Sequence, residues 1–178
     1  MNKELIQKRF QSARRWTTVL LVFLILGTLS SLVSLPGTLK PDRQTYESID
    51  NLQVYNFINH PLYKVYAILL IALNFFLIVK FFQNRKLLIG QKLCPKYPYY
   101  LNTAKIVLTN VVSFLFVSTN LSFASVGQDA QTQQVVSTTM TVMKVFGLVV
   151  MLLYVAMNVL VIVRLFQLEG NNDEGVSA

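Results

Sequence analysis

Hydrophobic positions along this chain fall in long unbroken blocks rather than at helical or alternating spacing. Four stretches carry no charge: Trp16 to Leu39, Val65 to Val79, Ile106 to Gln128 and Val145 to Val163. A helix rises ~1.5 Å per residue, so ~20 residues cross a ~30 Å hydrocarbon core. Three stretches are long enough alone. The second is extended by Tyr63, Tyr66, Phe81 and Phe82, and Lys64 and Lys80 flank it. Their aliphatic stems lie in the core while the ammonium groups reach the interface. The pattern predicts transmembrane helices at 16–36, 63–82, 105–126 and 142–166. A soluble bundle would need polar faces at helical spacing. Neither Val19 to Leu26 nor Ala67 to Leu73 has one. The fold class expected is an all-α integral membrane protein, a four-helix transmembrane bundle over 1–168 with a disordered tail over 169–178.

The cations orient this bundle. Lys3, Lys8, Arg9, Arg14 and Arg15 precede the first span, Lys80, Arg85, Lys86, Lys92, Lys96 and Lys105 lie between the second and third, and Arg164 ends the fourth. Only Lys40, Arg43, Lys64 and Lys144 fall on the other side. Positive residues stay inside, so both termini are expected to be cytoplasmic. The first outer loop, 37–62, opens on Pro41-Asp42. It then repeats Tyr46, Ile49, Leu52 and Tyr55 at spacings of three. This predicts a short amphipathic helix on the outer surface. His60-Pro61 begins the second span, with Asn59 or His60 as cap. The second outer loop, 127–141, is rich in Gln, Ser and Thr and is expected to carry little structure.

Composition narrows the chemistry. The chain has 178 residues, 53% hydrophobic and 13% charged, with a net charge of +8, one Cys and one His. A single Cys excludes an intrachain disulfide. No Cys-cluster or multi-His metal site can be built. The expected spans contain no Asp, Glu or His, which argues against proton coupling and intramembrane metalloprotease chemistry. No phosphate-binding glycine motif occurs. The expectation is a non-enzyme without a cofactor, a metal or a nucleic-acid partner.

Candidate site residues are therefore polar and small. Asn74, Asn110 and Asn158 lie five or six residues from Lys80, Lys105 and Arg164, roughly 8–9 Å from those anchors at ~1.5 Å per residue. They are expected to form one interhelical polar layer, because an amide facing lipid is costly. Gly27 and Ser31 form a small-xxx-small pair for close helix approach. Ser113 and Ser122 lie on nearly opposite faces of the third span, so that span is expected to be the most enclosed, while the fourth, with a smooth surface of Val, Leu and Met, is a candidate for lipid exposure or oligomer contact. Arg85, Lys86, Lys92 and Lys96, mixed with aromatic and aliphatic residues, are expected to contact anionic headgroups on the cytoplasmic side. Cys94 is juxtamembrane, where acylation occurs, although an inert thiol is the simpler reading.

The leading expectation for function is a small multi-pass protein acting by interaction, as an accessory subunit, scaffold or immunity-type partner. It would work as a homo-oligomer or in a larger membrane complex, with the bilayer itself as a partner. The alternative is an oligomeric channel or carrier for an uncharged or lipid-like solute. The lysine-rich start and the lack of eukaryotic targeting signals are compatible with a plasma membrane, and a bacterial cytoplasmic membrane is expected over an organellar one.

Overall fold

The structure, a computed structural model, describes residues 3–48, 52–120 and 130–173. Those residues form α1 (Lys3–Leu39), α2 (Arg43–Ser48), α3 (Leu52–Asn59), α4 (Pro61–Ile89), α5 (Tyr97–Asn120) and α6 (Ala130–Asp173), and no strand. Three helical segments are long and apolar enough to cross a membrane: α1, α4 and the part of α6 from Val145 to Gly170.

Cross-helix bonds fix the directions of the four long helices. Arg9 near the start of α1 donates to the Gln167 carbonyl near the end of α6, 3.1 Å away. Higher up, the Tyr154 hydroxyl donates to the Leu20 carbonyl at 3.3 Å. These helices are therefore antiparallel. The Arg85 guanidinium donates to the Thr18 hydroxyl at 3.2 Å, so α4 also runs against α1. Because α4 and α6 run the same way, α5 must return between them. Its Asn102 meets Asn158 of α6, and its Lys105 meets Asn74 of α4. The helices alternate in direction, with both described ends of the chain at one end of the bundle.

The most extensively packed helix is α1, which lies against both α4 and α6. Its buried face is Phe10, Ala13, Thr17, Leu20, Leu21, Leu24 and Thr28, a run of three- and four-residue steps that keeps one face inward. Leu77 and Phe81 of α4 and Val161 and Leu165 of α6 complete the core. Among the α5 residues with described side chains, Pro98, Tyr99, Asn102 and Ile106 in the first turns are buried, whereas Ser113 is exposed. Enclosure on two sides thus belongs to α1 rather than to the described part of α5. The reason lies in the side chains: α1 can press a continuous apolar stripe against two neighbours.

Several boundaries differ from the sequence expectation. α5 begins at Tyr97 instead of Lys105, since the Lys105 ammonium turns into the bundle rather than marking its edge. The single helix expected in the first loop is two short helices, α2 and α3, with Asp42 capping the first: its carboxylate accepts from the Gln44 amide at 3.2 Å and the Thr45 hydroxyl at 2.7 Å. The Thr45 bond, followed by the Gln44 one, holds the Asp42 carboxyl below its ordinary range. His60 caps α4 by accepting from the Leu62 amide, with Pro61 in the first turn. α6 is helical from Ala130, within the loop expected to be irregular. It also continues through Asp173, where a tail was expected, and Glu169 within it pairs with Lys96.

The connection from α4 to α5 is pinned. Gln91, with a φ of 53°, reverses the chain, and the Lys92 amide donates back to the Leu87 carbonyl at 2.9 Å. Asn84 of α4, buried, donates to the Pro95 carbonyl at 2.9 Å.

Candidate functional site

Between the four long helices lies a partly open cavity of about 490 Å³. α1 contributes Phe23, Leu24, Gly27 and Ser31 to its wall, and α4 contributes Leu70 and Asn74. Lys105, Ile106, Thr109 and Asn110 come from α5; Phe146, Gly147, Val150, Met151 and Tyr154 come from α6. The helix directions order these groups. Lys105, Asn74, Leu24 and Tyr154 stand toward the end that holds the chain termini. Ser31, Leu70, Asn110 and Phe146 stand toward the other.

Small residues keep the space open. A Cβ built on Gly27 or on Gly147 would meet no neighbour within 4 Å. Gly27 therefore borders empty space and does not mark a close helix approach. Ser31 is turned to its own helix, its hydroxyl donating to the Gly27 carbonyl at 2.9 Å. On α6, every residue from Val145 to Val150 is exposed, so the cavity is open along that stretch.

The polar groups sort into distinct pairs. Asn74 is buried and accepts from the Lys105 ammonium at 2.8 Å. Asn158, also buried, accepts from the buried Asn102 amide at 3.1 Å and donates to the Tyr154 carbonyl at 2.9 Å. Asn110 donates to the Ile106 carbonyl of its own helix at 2.8 Å. Thus Asn74 and Asn110 share the cavity wall, while Asn158 lies in the α5–α6 contact. The partners of Asn74 and Asn158 are Lys105 and Asn102. Spacing could have shown Asn102: with Ile106, it falls on one face at an i, i+4 interval.

Lys105 is the unusual member. It lies within a helix contact, and no carboxylate pairs with it among the described residues. Of its three N–H donors, one is taken by Asn74. A partly buried ammonium with one amide oxygen is far less compensated than one facing a carboxylate.

Beneath the cavity, toward the chain termini, a second polar cluster joins the helices. Thr17 donates to the Ala13 carbonyl at 2.8 Å, which uses its only proton. The Tyr99 hydroxyl, 2.9 Å from Thr17 Oγ1, is therefore the donor of that pair. The Tyr99 ring stacks on Phe81, with centroids 5.0 Å apart. Cys94 is buried beside it. Burial pushes the Cys94 thiol up to about 11. A thiol of this kind is inert at neutral pH. That setting disfavours acylation.

The four basic residues assigned to headgroups divide. Lys86 and Lys92 are exposed. Arg85 reaches Thr18. Lys96, its side chain 15% exposed, pairs with Glu169 and lies 3.3 Å over the Phe166 ring. Ser122 lies outside the described residues. Among the described residues, no group of His, Cys, Asp and Glu could hold a metal.

No family model matches the chain, and neither a curated protein nor a solved structure matches it.

Proposed function

We propose that the chain is a four-span membrane protein that holds a lipid-like molecule between its long helices. α5, with 24 residues, is long enough at ~1.5 Å per residue to cross a ~30 Å core. Its polar residues Asn102 and Lys105 are turned toward α6 and α4. Its return between two parallel helices supports a fourth crossing. The cation distribution supports cytoplasmic termini in a plasma membrane.

The observation that carries the function is the cavity. Its volume lies within the ~300–1,000 Å³ common for ligand pockets. Its wall is largely apolar with a few polar groups, and it lies among helices apolar enough to meet lipid. This favours the carrier or binding reading for a lipid-like solute. The described side chains offer no nucleophile–base pair beside it, so binding fits better than turnover.

Native mass spectrometry after gentle detergent extraction tests the reading. The expected spectrum holds one lipid-sized adduct per chain, lost in Gly147→Leu, where the new side chain fills the space. A spectrum of bare protein, or adducts indifferent to Gly147→Leu, overturns it.

A second reading, an accessory subunit or scaffold, is favoured by one observation: the exposed stretch Val145 to Val150 on α6. A partner helix would cover it. Disulfide crosslinking from Val149→Cys to a co-purifying protein, or to a second copy, supports that reading.

A further inference from the structure

We propose that the cavity takes a single-chain amphiphile with a carboxylate head, such as a free fatty acid, with Lys105 as its counter-ion. The inference rests on the lipid-binding reading and names its ligand class. Three observations carry it.

The first is charge. Lys105 brings one positive charge to the cavity wall, met by an amide oxygen of Asn74 and by no carboxylate among the described residues. In a low-dielectric medium, a cation without an anion is costly. One carboxylate neutralises it and accepts from the donors that Asn74 leaves. Such charge-assisted bonds are about twice as strong as neutral ones.

The second is polarity along the cavity. Lys105 and Asn74 stand at its cytoplasmic end in the proposed topology. Beyond them the wall is mainly aliphatic and aromatic, with Gly27 and Gly147. Of the other wall groups with described bonds, Asn110 and Ser31 donate to their own helices, and the Tyr154 hydroxyl, at the Lys105 end, donates to the Leu20 carbonyl. Such a lining suits one charged head at one end and an acyl chain along the rest.

The third is size. The cavity's volume, about 490 Å³, lies in the ligand-pocket range and gives room for one acyl chain. The bare stretch of α6 from Val145 to Val150 gives the chain a lateral way in from the bilayer.

The test uses full-length protein in phosphatidylcholine nanodiscs and three diazirine-bearing probes: palmitic acid, the corresponding fatty alcohol and phosphatidylglycerol. After illumination, labelled peptides are mapped and competed with the unlabelled compounds. Palmitic acid is expected to label cavity-wall peptides and to compete about tenfold or more better than the alcohol, the scale of one charge-assisted contact. Lys105→Met removes that preference, and Lys105→Arg keeps it. The acid-to-alcohol ratio in the unaltered protein needs no variant and stands even if Lys105→Met fails to fold. Equal competition by acid and alcohol, both lost in Gly147→Leu, overturns the counter-ion role and leaves the lipid cavity standing. Phosphatidylglycerol outcompeting palmitic acid overturns the single-chain carboxylate in favour of a phospholipid. Labelling of no cavity-wall peptide by any probe overturns this inference and the lipid-binding reading together.

Discussion

Asn102 of α5 and Asn158 of α6 are both buried, and the amide of one lies 3.1 Å from the carbonyl oxygen of the other. Removing either leaves its partner with an unmet group in an apolar surrounding. The effects of Asn102→Leu and Asn158→Leu on detergent unfolding should therefore be coupled. The expected interaction energy is about 0.5–2 kcal/mol, the range for contacting polar residues in membranes. Asn110→Leu combined with Asn158→Leu should be additive, since Asn110 bonds within its own helix. Additivity for the first pair would mean that the two amides do not depend on one another.

Thr17→Val should destabilise the bundle by about 1–3 kcal/mol, because the Tyr99 hydroxyl loses its acceptor in a buried site. Tyr99→Phe removes the donor as well. The double variant is expected to lose less than the sum of the singles. Equilibrium unfolding in mixed micelles measures all three. A double variant that loses the full sum would show that the two hydroxyls are independent.

Cys94 supplies a pH prediction. Its folded thiol titrates near about 11, above the ordinary 9.0, so the folded state holds the proton where the unfolded state releases it. Alkylation of the native protein at pH 8 should be slow and should accelerate with pH up to about 11. The denatured protein should react at the rate of a free thiol. The same difference lowers stability as pH rises above about 9. Rapid native alkylation at pH 8, measured by mass shift, would contradict the buried, protonated thiol.

Gly27 and Gly147 lie within helices, and a Cβ on either would meet nothing within 4 Å. Alanine has the lower backbone cost in a helix by roughly 0.5–1 kcal/mol. Gly27→Ala and Gly147→Ala should each raise the detergent melting temperature. A lower melting temperature for either would show that its wall of the cavity closes more tightly than described.

The apolar blocks made the long helices legible, because continuous hydrophobicity survives any detail of packing. The cap at His60 was legible too, since a polar acceptor before Pro61 is a local signal. Partners were not. Treating Lys105 as an interfacial anchor placed Asn110 level with Asn74 and Asn158. In the structure Lys105 itself stands against Asn74, so the register of α5 shifts by more than a helical turn. A charge usually marks the edge of a span, but the rule fails where a neighbouring helix offers an oxygen. The enclosure of α1 was hidden for a related reason. Thr17 and Thr28 interrupt the apolar stripe of α1 and are nonetheless buried, which only the arrival of α4 and α6 on two sides explains.

The threonines of α1 also bear on what each helix needs in an apolar medium. Thr17, Thr18, Thr28 and Thr38 each return their proton to a carbonyl four residues back in the same helix. Asn158 does the same with the Tyr154 carbonyl. These side chains carry their donors already satisfied, with no neighbour required. Asn102 differs, because its amide donates to Asn158 of another helix. α5 therefore leans on α6 for a partner, and an apolar medium takes the two more readily as a hairpin than α5 alone.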